Sequence, residues 1–300
     1  MTRIAHVLCP VDLSEPSRHA LDHAVAVTAW YEAQLTVLHV FNASLPLIPA
    51  EGLGVPLELG DPIEPDKTLD EVRRFSLPSL STLQRPADFV VKEGNIQHEI
   101  VAEATQLAAD LIVMGTHARK GIQRLLLGSV TERVLRTAHV PVLAVPPAEQ
   151  TAPITYERIL CPIEFRSEPA ALEYVLSLVL PFMKGEAPRS KKPGARLILL
   201  HVVENFFEQL PEYFSARERE AMERLKRAVP ADARDWSQPE PRVTAGRADS
   251  EILRVAAELR SDVIAMAVHG KGVINQRLYR STTSRVIREA ACPVLTLCAG

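Results

Sequence analysis

The sequence predicts an α/β protein of two similar domains, each a parallel sheet covered by helices on both faces. Three observations predict it. The chain has 300 residues, the length of about two ordinary domains. Short apolar runs alternate with amphipathic helical stretches from one end to the other. The chain also repeats itself. Cys9-Pro10-Val11-Asp12 recurs 152 residues later as Cys161-Pro162-Ile163-Glu164, and Asp110 to Met114 recurs at the same offset as Asp262 to Met266. Residues 110–143 share 15 identities with 262–295 without a gap, among them His117/His269, Ser129/Ser281, Thr131/Thr283 and Arg133/Arg285. This is a tandem duplication of a unit of about 150 residues. The expected domains are 1–148 and 153–300, with a Pro-rich, polar linker between Pro146 and Thr155.

In the first copy, Ile4–Pro10 is an apolar run suited to a buried strand. Ser14-Glu15-Pro16 then caps a helix, with proline tolerated in the first turn, and helical spacing continues to about Ala33. Leu35–Phe41 reads as the second strand. A helix falls within Leu69–Leu83, interrupted or ended near Pro78. Strands at Asp88–Lys92, Leu111–Gly115 and Val140–Val145 alternate with helices at Ile96–Ala108 and Ser129–Thr137. The second copy follows the same order: Arg158–Cys161, Glu168–Met183, Arg196–Val203, Ala216–Val229, Arg242–Ala245, Ser250–Leu259, Val263–Ala267, Thr282–Ala290 and Pro293–Cys298. The copies differ in two loops. Residues 184–194 form a basic, Pro/Gly-rich insertion that reads as a solvated loop or a docking patch for an anionic partner. Ser44–Asp66 is long, Pro-rich and apolar, which suits a cover or a contact.

Composition narrows the function. Hydrophobic residues make up 47% and charged residues 24%, the balance of a globular chain. A net charge of −3 excludes a chain-wide basic field for nucleic acid. Residues 1–150 carry 12 basic against 18 acidic residues and 151–300 carry 22 against 19. Cys9, Cys161, Cys292 and Cys298 lie in or beside apolar strands, as reduced thiols of a cytoplasmic protein do. The first residues lack the apolar stretch of a signal peptide. The longest apolar run, Tyr174–Met183, is broken by Ser177 and Pro181 and is far shorter than the ~20 residues of a membrane span. The expectation is a cytoplasmic protein with no membrane or nucleic-acid partner.

No Walker A, G-x-G-x-x-G, G-x-S-x-G or H-E-x-x-H motif occurs. The informative segment follows the fourth strand of copy 1. Gly115 closes that strand, a loop of small and basic residues follows, and Gly128-Ser129-Val130-Thr131 opens a helix. Such a junction offers backbone N–H groups and the positive end of a helix to an anion. Ser129 is placed to serve as N-cap or as ligand. Asp12, after the first strand, reads as a helix cap or as a sugar contact.

Met114-Gly115-Thr-His117-Ala118 through Gly128-Ser129 resembles the signature G-x-x-G-x9-G-[ST] of the universal stress protein family, with Ala118 standing at the second glycine. Pro10-Val11-Asp12-Leu-Ser-Glu-Pro-Ser, Leu38-His39-Val40 and Pro141-Val142-Leu143 resemble that family too, and the likeness covers both copies. The resemblance implies two Rossmann-like (adenine nucleotide alpha hydrolase-like) domains, each a five-stranded parallel sheet of order 3-2-1-4-5. That order reverses between strands 1 and 4, where open α/β sheets bind ligands. It further implies an ATP site, with or without Mg2+. Pro10, Asp12 and Val40 would lie near ribose and base. Met114, Gly115, His117, Ala118, Gly128, Ser129, Val130 and Thr131 would wrap base edge, ribose and phosphates. A stress-response or signalling role follows, with an intrachain pseudo-dimer through the fifth strands and a further homodimer of whole chains. No base placed for water and no acidic cluster beyond Asp12 is visible, so binding is expected rather than turnover. A slow ATPase and a nucleotide-free protein that acts through contacts are the alternatives.

Copy 2 departs from the signature. Ala267 replaces the first glycine, Gly270 keeps the second, Arg280 replaces the third before Ser281, and Glu164 replaces Asp12. Arg280 either fills the phosphate place, paired to Glu164, or grips a phosphate itself. His39 and His201 read as packing or site-edge residues, and His117 and His269 as ligand-adjacent or solvent-facing. Arg119, Lys120 and Arg124 read as a solvated face, with phosphate neutralisation the alternative. Arg217–Arg227 alternates charges as an exposed, salt-bridged helix does.

Overall fold

A computed structural model describes residues 4–42, 65–116, 127–147, 154–165, 196–204, 211–229, 239–269 and 282–299. The first repeat runs β1 (His6–Pro10), α1 (Glu15–Tyr31), β2 (Gln34–Phe41), α2 (Pro65–Leu80), β3 (Asp88–Glu93), α3 (Ile96–Gln106), β4 (Leu111–Gly115), α4 (Ser129–Thr137) and β5 (Val142–Val145). The second repeat contributes β6 (Arg158–Pro162), β7 (Arg196–Val203), α5 (Pro211–Ala228), β8 (Glu240–Ala245), α6 (Ala248–Glu258), β9 (Val263–His269), α7 (Ser284–Glu289) and β10 (Val294–Ala299). The helix read over Glu168–Met183, the loop 184–194 and nearly all of Ser44–Asp66 lie outside the described residues.

The strands form one ten-stranded sheet of order β3-β2-β1-β4-β5-β10-β9-β6-β7-β8. Each half is parallel and follows the 3-2-1-4-5 order, so the two repeats are Rossmann-like α/β units. The halves meet at β5 and β10, which pair antiparallel as Val294↔Ala144, Leu295↔Leu143 and Thr296↔Val142. Shifting 142, 143 and 144 by the 152-residue offset gives 294, 295 and 296, so this register maps onto itself when the repeats exchange. A local two-fold passes through the Leu143–Leu295 pair. The Thr296 hydroxyl, buried at the seam, donates to the Val142 carbonyl at 3.2 Å.

Alternating strand side chains divide the core into two layers. One holds Val7, Cys9, Leu35 and Val37 under α1 and α2, with Ile159, Cys161, Leu197 and Leu199 from the second half. The other holds Leu8, Leu38, Val40, Ile112 and Met114 under α3 and α4, with Leu160, Ile198, Leu200 and Ile264. Both layers run through both repeats. Each fully buried aliphatic side chain contributes about 1.5–3 kcal/mol of transfer free energy, so the strands are fixed mainly by these layers.

Local chemistry sets the helix ends. Ser14 caps α1, accepting from the Ser17 N–H, and Pro16 sits in the first turn. Glu32 ends α1 in the left-handed region, its N–H donating to the Thr28 carbonyl. Helix α2 starts at Pro65, earlier than the apolar spacing suggested. Pro78 lies inside its final turn and the helix closes two residues later. Strand β8 extends two residues earlier than read, to Glu240, and includes Pro241 on an edge strand, where a missing N–H is tolerated.

A repeated aspartate ties β1 to β4. Asp110 Oδ2 accepts from the Ala5 and His6 N–H groups at 2.7 and 3.0 Å. Its counterpart Asp262 Oδ2 accepts from Glu157 and Arg158 at 2.9 and 2.8 Å, and Asp262 also pairs with the Arg158 guanidinium. The matched offset in sequence is therefore a matched clamp in space. Asp110→Ala is expected to lower unfolding free energy by about 2 kcal/mol, since two charge-assisted bonds are lost. It would be read as a lower urea midpoint at unchanged slope.

Candidate functional site

The site is built where β1 and β4 part. Their ladder covers only Val7↔Leu111 and Leu8↔Ile112, yet β1 continues to Pro10 and β4 to Gly115. Beyond the ladder each strand keeps its other neighbour. Pro10 pairs with Leu38, and the Val11 N–H donates to the Leu38 carbonyl at 2.8 Å. Gly115 pairs with Val145, and the Thr116 N–H donates to the Val145 carbonyl at 2.9 Å. The two chains thus lean apart and leave a crevice at the carboxyl edge of the sheet.

Val40 faces this crevice with its backbone. Along β2, Gln34 donates to Ala5 and Leu38 accepts from Val11, so even-numbered residues direct their peptide groups toward β1. Phe41, an odd one, accepts from Gly94 on the β3 side. The β1–β2 register ends at Pro10↔Leu38. The Val40 N–H and C=O therefore point past the end of β1, a donor beside an acceptor. The side chains of Val40 and Met114 line the α3–α4 layer together and are almost buried.

The far wall is the start of α4. The Gly128 N–H donates to the Thr116 carbonyl at 2.8 Å, and the Thr131 hydroxyl donates to the Gly115 carbonyl at 2.8 Å. These two bonds close the neck of the intervening loop onto the end of β4. Gly128, not Ser129, is the N-cap, and it makes no side-chain cap bond. Ser129 is the first helical residue and is exposed, which corrects its expected capping role. The physical reason is the Gly128–Thr116 bond, which sets the helix start one residue early. The first turn's N–H groups of Ser129, Val130 and Thr131 precede the first helical bond, Glu132 N–H to Gly128 carbonyl at 2.9 Å. A Cβ on Gly128 would stand 3.2 Å from the Thr116 carbonyl oxygen. His117 and Ala118 lie outside the described residues, as do Arg119, Lys120 and Arg124.

Asp12 sits on the rim, exposed. Its Oδ1 accepts from both the N–H and the hydroxyl of Ser14, and its N–H donates to the Ser17 hydroxyl at 3.3 Å. It therefore orients the residue that caps α1 rather than capping α1 itself. Leu13, next in line, has φ 60, in the left-handed region that L-residues seldom adopt. His39 Nδ1 donates to the Val11 carbonyl at 2.8 Å, and His201 Nδ1 to the Ile163 carbonyl at 2.9 Å. Each histidine fixes the turn leaving its repeat's first strand. Burial lowers the His201 pKa.

The second repeat keeps the geometry but changes its lining. The β6–β9 ladder again covers two pairs, Ile159↔Val263 and Leu160↔Ile264. Phe165 stands where the first repeat has Leu13. Its ring lies 4.1 Å from that of His201, and the Arg224 guanidinium lies 4.1 Å from its centroid. Glu164 is exposed. Gly270, Arg280 and Ser281 lie outside the described residues, and so does the pairing expected of Arg280 with Glu164.

Sequence reading passed over Lys92 and Glu103, an ion pair beside Val40 in which Glu103 is buried and Lys92 is partly exposed. Lys92 read only as the end of a strand, and the one signal was Lys92 and Glu103 changing together to Thr244 and Val255 in the second copy. Among the described residues no three His, Cys, Asp or Glu side chains gather as metal ligands. No described helix is long and apolar enough to cross a membrane. Burial pushes the Cys161 and Cys292 thiols up to about 12 and raises Cys9 as well, which disfavours their thiolate forms.

A family model described as Universal stress protein family matches the chain twice, over residues 4–146 and 155–297. A universal stress protein of Methanocaldococcus jannaschii is 34% identical over 147 residues, covering 46% of this chain and 80% of that protein. Universal stress protein A homolog 1 of Coxiella burnetii is 32% identical over 142 residues, covering 47% of this chain and 94% of that protein. A universal stress protein crystal structure from Archaeoglobus fulgidus aligns over 100% of both chains with TM-score 0.67 at 21% identity, a shared fold. A universal stress protein solved in complex with cAMP aligns with 49% of this chain and 100% of its own, with TM-score 0.36 at 22% identity.

Proposed function

The chain belongs to the universal stress protein family, with two of its domains in tandem, and on that premise we propose that it binds ATP as a stress-response or signalling protein, in its first repeat only. The observation that carries this is the start of α4: a glycine-capped helix end with its first N–H groups uncommitted within the helix, aimed at the crevice between β1 and β4. Gly128 also carries no Cβ, so phosphates could approach the backbone at this helix start. The Val40 N–H and C=O offer the acceptor–donor complement of an adenine edge, with Met114 and the Val40 side chain against the ring. Pro10 and Asp12 would flank the ribose, and Gly115, His117, Ala118, Ser129, Val130 and Thr131 the phosphates. Mg2+ would arrive on the phosphates, since the described residues assemble no cage of their own.

The domains of this reading are 1–148 and 153–300, and the protein is cytoplasmic. The second repeat serves as partner rather than as a second site: the self-mapping β5–β10 register supports an intrachain pseudo-dimer. Whole chains pair further as a homodimer. Binding without metabolic turnover is the role. Native mass spectrometry with and without Mg-ATP tests it. One ATP per chain is the expected result. Two would put a working site in the second repeat. None at millimolar ATP would leave a protein that acts through contacts alone.

A further inference from the structure

Lys92, on β3, is in register with Val40 on β2. Residues in register on parallel strands project from the same face, so both lie on the α3–α4 side. Helix α3 brings Glu103 there, 2% exposed, and the Lys92 ammonium contacts Glu103 Oε2 and lies 4.0 Å from Glu99 Oε2. Among the described residues, nothing else hydrogen-bonds that Glu103 oxygen. Stripping the Glu103 carboxylate of water costs several kcal/mol while Lys92 keeps 27% of its side chain exposed, and an apolar pair of similar volume serves stability as well.

The second repeat makes that comparison within one chain. The 152-residue offset takes Lys92 to Thr244 and Glu103 to Val255, which is fully buried. Both charges go together, yet Val202↔Thr244 keeps the strand register and α6 still forms. Glu251, the counterpart of Glu99, remains and turns to Arg254. The fold therefore does not require the pair, and the half that keeps it is the half with the glycine-capped anion site.

We propose that Lys92 and Glu103 are positioning residues of the base subsite: the pair ties edge strand β3 to α3, so that the Val40 peptide groups hold their place for an adenine-type edge. This rests on the nucleotide reading above. Strand β3 ends the sheet and is held on one side by β2 alone. A charge pair between β3 and α3, its carboxylate buried, gives that wall a fixed geometry that apolar contacts leave looser.

The test is the double substitution Lys92→Thr/Glu103→Val, a pair the fold already accommodates 152 residues on. ATP and inorganic triphosphate affinities are measured by calorimetry on the full chain, together with melting temperature. ATP binding should weaken about tenfold, the worth of one well-placed hydrogen bond at the base edge. Triphosphate affinity and melting temperature should hold, and Lys92→Arg alone should keep ATP affinity. Unchanged ATP affinity in the double variant overturns the proposal, as does an equal loss for ATP and triphosphate. A melting temperature that falls along with affinity would put the pair in the fold, not the subsite. Wild-type protein that binds no ATP would overturn the nucleotide reading and this inference with it.

Discussion

Gly128→Arg is expected to abolish ATP binding while leaving the chain folded. Gly128 has φ −59 and ψ 136, a conformation open to any residue, so the backbone itself is not strained by a side chain. The conflict is local. A Cβ stands 3.2 Å from the carbonyl oxygen of Thr116, the oxygen that the Gly128 N–H already holds at 2.8 Å. The neighbour must give by a few tenths of an ångström, and the long side chain then lies across the first turn of α4. That is where the proposed phosphates meet the N–H groups of Ser129, Val130 and Thr131. Losing this contact should weaken binding by a hundredfold or more, about 2.7 kcal/mol. Gly128→Ala separates the two effects: it adds the Cβ alone and should cost far less. Calorimetric titration with ATP decides it. An arginine variant that binds ATP as the parent does would remove the phosphates from this helix end.

Much of this was legible before the fold was known. The Asp110/Asp262 offset predicted a duplicated unit and turned out to mark one clamp made twice. Strand-helix alternation with apolar strands predicted parallel halves, and the topology has them. Other features were invisible for definite reasons. The β5–β10 register depends on where two short strands stop, and no periodicity encodes that. Ser129 has the chemistry of a cap, but the helix start is set by a long-range bond from Gly128 to Thr116, which outranks local preference. Lys92 and Glu103 lie 11 residues apart on different elements, so only folding makes them partners. The direction of the Val40 peptide groups follows from strand parity, which needs the β1–β2 register and not merely the strands. Sequence pattern thus located the crevice, while the donors that line it came from register and from helix start.

The joint between repeats, rather than the crevice, should fail first in acid. Tyr156, just ahead of β6, is buried against α1 of the first repeat. Its hydroxyl shares a 2.7 Å hydrogen bond with His23 Nδ1, its ring stacks on His23, and its edge meets Trp30 with centroids 5.2 Å apart. Burial, reinforced by neighbouring His19, pushes His23 down to about 3. Asp22 acts on His19, whose pKa burial also lowers. The unfolded histidine takes its proton near 6.5. Between about 3 and 6.5 the unfolded chain therefore holds a proton that the folded chain refuses, and stability rises with pH across that window. Lowering pH from 6.5 to 4 should remove up to about 3 kcal/mol through this one group. His23→Gln keeps a hydrogen-bonding group without a titration in that range, so its urea stability should lose less than that of the parent over the same interval. Tyr156→Phe strands the buried His23 nitrogen and should cost about 1–3 kcal/mol at neutral pH. Equal acid loss in the parent and in His23→Gln would mean that acid acts elsewhere, on the carboxylates and not on this joint.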